Sequence, residues 1–341
     1  MNRNESRTLM NAKSTHLDSD TVYINSNQSN RIAVILRNYA VVAAVVILFI
    51  VLAITSPGFL SIENILNIIR QASIVAIIAF AMTFVFIAGG FDLSVGSVFA
   101  LGGALAAGLS HVFTVPIAML IAVLAGGLVG FINGTIITKL GINAFVTTLA
   151  SLQIVRGLAL LYTDAAPIRV PDPAFRWLGA GNIAGVPVPV ILMITIFSFA
   201  WFVLSKTKYG RFVYSTGSNS IASKIAGVRV DRIVVSTYVL TGLMAAFAGL
   251  IFAARIGVGA ADVGQGLELS VIAAVLVGGT SLAGGEGSMW RTAAGAVFFA
   301  LLANGFNLLN VPSFWQNVAS GVIILVMVAV DSYNRKRRDS A

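Results

Sequence analysis

Apolar residues fill the chain in blocks of roughly span length, divided by short polar breaks. A helix needs about 20 consecutive apolar residues to cross a bilayer. That rule places spans at approximately 39–55, 72–88, 92–110, 116–138, 142–163, 188–205, 233–254, 269–284, 292–310 and 314–331, with the third and eighth short or broken by glycine. Ile62 to Arg70, apolar at near-helical spacing, predicts an interfacial helix rather than a span. The pattern predicts an all-α polytopic membrane protein of about ten transmembrane helices. Residues 1–30 are polar and predict a disordered cytoplasmic tail, 31–332 the membrane domain, and 333–341 a basic cytoplasmic tail. No apolar core precedes residue 39, so the start does not read as a signal peptide.

Composition supports the same class. The chain is 57% hydrophobic and 10% charged, where soluble domains carry roughly a quarter charged residues. Its net charge of +9 would suggest nucleic acid in a soluble protein; here it follows from cytoplasmic loops enriched in Lys and Arg. With the N-terminus inside, 17 of the 22 basic residues fall on the cytoplasmic side and four outside, and both ends are expected in the cytoplasm. There is no cysteine, and His16 and His111 are the two histidines, which leaves neither a disulfide framework nor a metal site to expect.

Two connections are large. Residues 164–187, with Pro167, Pro171, Pro173, Pro187 and Trp177, predict a rigid external cap suited to docking. Residues 206–232 are basic and cytoplasmic. Within them Ser218 or Asn219 can N-cap a short helix running to about Ala226, and Gly227 can end it. Apolar residues at 221, 222, 225 and 226 give that helix a face that a free loop does not need.

The chemistry concentrates at Ala88-Gly89-Gly90-Phe91-Asp92-Leu93-Ser94-Val95-Gly96-Ser97, between apolar runs. A carboxylate there must lie at a boundary, find a partner or line a wet cavity. Asp92 to Gly103 aligns without gaps against Glu268 to Gly279, sharing the acid, Leu-Ser-Val and Gly-Gly; Asn133-Gly134 matches Asn304-Gly305 more weakly. The offset of five spans is odd and predicts two inverted five-helix repeats, an architecture of transporters. Asp92 and Glu268 either line a path or cap their helices; Ser94 and its counterpart Ser270 accompany them. Asn133, Asn304 and Asn307 can touch a polar solute or bond helix to helix, and Phe131 and Phe306 can stack on a sugar face or pack the core. Arg156, late in the fifth span, is able to snorkel outward. Gly89, Gly90, Gly96, Gly278 and Gly279 permit broken helix ends and close packing. No G-x-x-x-x-G-K-[ST] occurs, so no ATP site of that kind is expected in the chain. The scarcity of deep ionisable groups weakens an ion-driven carrier and points to a separate ATPase acting on 206–232.

Gly89-Gly90-Phe91-Asp92-Leu93-Ser94-Val95-Gly96 resembles the G-G-[IF]-D-L-S-V-G block of bacterial monosaccharide ABC importer permeases of the ribose, xylose, arabinose and galactose group. Val277 to Gly285 resembles their second glycine-rich block, and Gly141 to Leu149, Arg156-Gly157, Gly217 to Asn219 and Gly227-Val228 also match. Phe91 stands where isoleucine is usual. The resemblance covers about residues 34–331. It implies a transporter subunit rather than an enzyme, in the bacterial inner membrane, as a permease homodimer or pseudo-homodimer. It also implies a cytoplasmic ATPase subunit that binds ATP and Mg, and a periplasmic sugar-binding protein, with no cofactor in this chain. Residues 215–229, including Ser218, Asn219, Ala222, Ile225 and Gly227, would form the coupling helix. The neighbouring alternatives are a branched-chain amino acid permease and a proton-coupled sugar carrier.

Overall fold

The computed structural model describes residues 39–170, 172–312 and 314–339. The tail expected over 1–30 lies outside the described residues. Helices dominate: α1 (Tyr39–Thr55), α2 (Ile62–Ile87), α3 (Val95–Leu109), α4 (Val115–Lys139), α5 (Ala144–Thr163), α6 (Pro173–Ala180), α7 (Val188–Lys206), α8 (Lys208–Ser218), α9 (Ser220–Ile225), α10 (Val230–Ile256), α11 (Leu267–Val277), α12 (Met289–Leu308) and α13 (Phe314–Asp339). Among the described residues, α2, α4, α5, α7 and α10 are long and apolar enough to cross a membrane, while α1, α3, α11 and the 314–330 part of α13 are shorter apolar helices. The chain is therefore an all-α multi-pass membrane protein.

Four elements differ from those the sequence predicts. Ile62 to Arg70 is not a separate interfacial helix but the first turns of α2, which Ser61 caps by accepting from the Asn64 amide; nothing between Arg70 and Ala72 breaks helical backbone. The third and eighth spans shorten to 15 and 11 residues, because Asp92 to Ser94 before α3 and the stretch from Gly278 to Ser288 after α11 run outside helix. At its far end α13 continues through Asp339, so the expected basic tail begins as helix.

Packing centres on α10, which lies against α2, α3 and α4, while α2 also packs on α7, α11 and α12. Lipid is as apolar as leucine, so helices associate through close backbone approach and hydrogen bonds. Gly126 of α4 and Gly242 of α10 face one another so tightly that a Cβ on either would overlap the other's carbonyl oxygen. Gly249 of α10 meets the Phe99 carbonyl of α3 in the same way, and Gly295 of α12 meets that of Ala274 in α11. Tyr238, Ile77, Phe84 and Leu250 fill the space around these crossings.

Two small β-ladders shape the opposite end from α9. β1 (Ile168–Arg169) pairs antiparallel with β4 (Val258–Gly259), with Ile168 opposite Gly259. β2 (Asn182–Ile183) and β3 (Val186–Pro187) form a hairpin through Ala184 and Gly185. Between them Asp172 caps α6 by accepting from the Ala174 amide at 2.7 Å. The connection over 164–187 is thus folded onto the bundle, with Phe175 buried and Trp177 half exposed.

These crossings predict opposite outcomes for one substitution at two glycines. Gly126→Ala should lower the thermal midpoint in detergent micelles, because the α4–α10 contact must open. Gly157→Ala, which meets nothing within 4 Å, should hold the midpoint level or raise it, by up to about 1 kcal/mol of helix preference.

Candidate functional site

One end of the bundle joins three segments through backbone. Gly89, at φ +81°, ends α2 in the left-handed region that glycine adopts without strain. Its amide bonds to Phe86 O at 2.9 Å and that of Gly90 to Val85 O at 2.8 Å, which turns the chain sharply. The freed Ile87 carbonyl accepts from Gly285 N at 2.8 Å. Gly217, near the end of α8, lies so close that a Cβ would overlap the Ile87 carbonyl oxygen and stand 2.6 Å from Gly285 N. Tyr214 of α8 also donates to Gly287 O at 2.9 Å. Burial raises the Tyr209 and Tyr214 hydroxyls above their ordinary pKa, so both stay neutral at physiological pH.

From this junction α9 projects outward. Asn219, rather than Ser218, is the cap: its Oδ1 accepts from Ala222 N at 2.9 Å, while Ser218 Oγ turns back to Tyr214 O. The helix stops at Gly227, whose amide bonds to Lys224 O at 3.0 Å. Ile221 and Ile225 are 72% and 84% exposed, one turn apart on a helix whose Ser223 is buried. Lys139 of α4 and Lys224 of α9 each reach Asp231 of α10 at 3.5 Å. Such exposed pairs hold little energy, but they bring α9, α4 and α10 together at one point.

The Asp92 break lies deeper. Asp92 is buried, and its Oδ1 accepts from Ser94 N at 2.9 Å and Ser94 Oγ at 2.6 Å. Asn133 of α4 donates to Ser94 Oγ at 3.1 Å, tying the start of α3 to its neighbour. Tyr238 accepts from Phe91 N at 3.1 Å and donates to Phe91 O at 2.9 Å, and Gly90 leaves room for that phenol, whose oxygen would lie 2.8 Å from a Cβ. At the start of α11, Glu268 Oε1 accepts from Gly266 N at 3.2 Å. Its other oxygen packs on Gly96 of α3, so the two short helices meet near their N-termini. Gly278 backs onto the Arg291 backbone and Gly279 reverses the chain after α11.

Arg156 does not snorkel outward. Its Nη1 donates to Val263 O at 2.6 Å and to Ala261 O, holding the segment that leads into α11. Asn304 is occupied as well: it donates to Asn64 Oδ1 at 2.7 Å and accepts from Asn64 Nδ2 at 3.2 Å, bonding α12 to α2. Phe131 is half exposed on the bundle surface, and Phe306 sits with Trp315 and Val322 in an apolar recess. Ser270 and Asn307, in contrast, line a cavity of about 530 Å³ between α2, α3, α10, α11, α12 and α13. Gln71, Gln265, Gln316 and Asn317 line it too. These four were missed; the available signal was a carboxamide near the end of an apolar block at each position.

Comparison with known proteins finds transport permeases similar in sequence to this chain. Residues 64–330 match the family described as branched-chain amino acid transport system / permease component. The chain is similar to a ribose import permease protein of Haemophilus influenzae, 41% identical over 85% of this chain and 91% of that protein. It is similar to the ribose import permease protein of Bacillus subtilis, 42% identical over 84% and 89%. The L-arabinose transport system permease protein of Escherichia coli is 37% identical over 88% and 92%. No solved structure matches the chain.

The bonds of Asp92 separate charge from acceptor. Asp92→Asn keeps an oxygen for Ser94 N and should be nearly neutral in thermal unfolding. Asp92→Ala removes it and should destabilise by about 0.5–2 kcal/mol, as for loss of a helix cap. Equal losses in the two variants would show that the charge itself is required.

Proposed function

The chain belongs to the branched-chain amino acid transport system / permease component family, and from that premise we propose that it is the membrane-spanning permease subunit of an ATP-driven importer of a monosaccharide, ribose or a related pentose or hexose. The observation that carries the reading is α9. A short capped helix presents Ile221 and Ile225 away from the bundle, at the end where α2, α8 and the 278–288 connection share the glycine junction. An apolar face of that kind suits a groove on a partner, here a cytoplasmic ATPase that binds ATP and Mg²⁺ and does the hydrolysis. Movement of α9 would reach the Asp92 and Glu268 helix starts through Ile87, Gly217 and Gly285, opening and closing the path without covalent chemistry in this chain.

The cargo assignment follows from the relatives, named for ribose and arabinose, and from the cavity, whose lining offers amides, hydroxyls and aromatic rings with no carboxylate. A zwitterionic amino acid would call for both signs of charge, and Arg255 is the cavity's single charged group. Ten spans in two inverted halves remain our reading of the architecture. In support, α2 and α10 each precede a short helix, and the pairs α2–α12 and α4–α10, α3–α4 and α11–α12, α3–α5 and α11–α13 exchange under that relation. The basic residues Lys139, Lys206, Lys224, Arg229 and Arg232 mark the α9 end as cytoplasmic, with both chain termini on that side. The folded 164–187 cap would then face a periplasmic sugar-binding protein, in the inner membrane, with a second permease copy completing the pore.

The test is reconstitution in proteoliposomes with the ATPase and binding protein. Wild type should accumulate ribose only with internal ATP. Ile221→Asp/Ile225→Asp should stay monodisperse yet reduce ATP hydrolysis to that of the ATPase alone. Uptake by this chain alone that collapses with an uncoupler would overturn the ATP-driven reading, and ATP-driven leucine uptake without ribose uptake would overturn the cargo.

A further inference from the structure

The cavity between α2, α3 and α10 to α13 differs from the rest of the bundle in what its polar groups do. Several carboxamides elsewhere are engaged: Asn64 with Asn304, Asn133 with Ser94, Asn219 with Ala222 N. The side chains of Gln71, Gln265, Asn307, Gln316 and Asn317 converge on the cavity and make no side-chain hydrogen bond within the described residues. Gln71 and Gln316 are half-buried and Gln265, Asn307 and Asn317 exposed, and amides without a protein partner within a membrane bundle call for water or a ligand. The cavity reaches from Asn307 of α12 and Gln316 of α13 to Phe99 and Ala300, and at about 530 Å³ it falls within the size range of small-molecule sites. Its aromatic wall is built by Phe99 and Phe252, whose rings lie 5.4 Å apart at 48°.

We propose that this cavity is a transit site for a neutral polyhydroxylated ligand, in which the free carboxamides of Gln71, Asn307 and Gln316 meet hydroxyl groups while Phe99 and Phe252 cover the C–H face of the ring. The proposal rests on the importer reading and adds to it where, within this one chain, the sugar pauses. Carboxamides supply both donors and acceptors, so they match a ring of hydroxyls whose own roles rotate. A cationic ligand is disfavoured, because the one ionic group in the lining, Arg255, is itself a cation with another, Arg70, as its electrostatic neighbour; between a neutral and an anionic ligand, the five carboxamides of the lining match the neutral one.

The chain has no cysteine, which permits a direct test. Ala303→Cys places a thiol on the cavity wall, and Val112→Cys places one on the exposed α3–α4 connection outside it. Both are made in the full complex in proteoliposomes, and modification of the permease by a water-soluble thiol reagent is timed. Ribose at about ten times its dissociation constant should slow modification at position 303 about tenfold and leave position 112 unchanged. Adding Asn307→Leu and Gln316→Leu should abolish the protection and cut ribose uptake. Unaltered modification at 303 in vesicles that transport ribose would overturn the proposal and leave the importer reading standing. Protection by glucuronate but not ribose would overturn the neutral class of ligand. Vesicles with no ribose transport at all would overturn the importer reading and the proposal together.

Discussion

The hydrogen bond from Gly285 N to the Ile87 carbonyl, at 2.8 Å, closes a backbone-to-backbone contact on which the geometry of this end of the bundle depends. It forms because α2 is turned off at Gly89 and because Gly217 of α8 has no side chain to hold the segments apart. Gly284 fits against the Gly89 backbone, where a Cβ would stand 2.9 Å from its Cα. Side chains between segments can rotate and absorb a displacement; backbones in contact cannot. A shift of α8 and α9 is therefore passed to the end of α2 and to the connection between α11 and α12. Closely packed interfaces behave as switches between arrangements rather than as soft springs.

Beyond the junction the polar residues act as fasteners. Asp92, Ser94 and Asn133 fix where α3 begins, and Tyr238 clamps the approach to it from α10. Arg156 performs the equivalent task before α11 by holding Val263. With Glu268 seated on Gly96, the two short helices share one meeting place inside the bundle. Asp92 is bonded locally to Ser94, Glu268 bonds Gly266 N through one oxygen while the other is buried against Gly96 without a hydrogen-bond partner among the described residues, and the uncommitted amides lie around the larger cavity.

Much of this was legible in the sequence, and the exceptions have physical causes. Hydropathy located α4, α5, α7 and α10 to within a few residues, because each is a continuous apolar helix. It overstated α3 and α11, since a window counts apolar residues alike whether Leu93 and Leu282 are helical or not. Asn219 and Gly227 bracketed α9, because caps and stops are local chemistry. Asn133, Asn304 and Asn307 were indistinguishable as residue types. Two face a neighbouring polar side chain and the third a cavity, a difference made by α2 and α3, far away in sequence. Arg156 was read as an outward-reaching cation because nothing in the chain announces that Ala261 and Val263 bring bare carbonyls to it. The partners of Asp92 at +2 were within reach of a sequence reading, and Tyr238 was not.

The central claim is that α9 drives the core through glycine-permitted backbone contact, and Gly217→Ala tests it most directly. In proteoliposomes with the ATPase and binding protein, the variant is compared with wild type at matched folded yield. The account predicts that the ATPase still docks, with affinity within about twofold because Ile221 and Ile225 are untouched, while ATP-driven ribose uptake falls by an order of magnitude or more as the added methyl separates α8 from Ile87. Wild-type uptake by Gly217→Ala would contradict it.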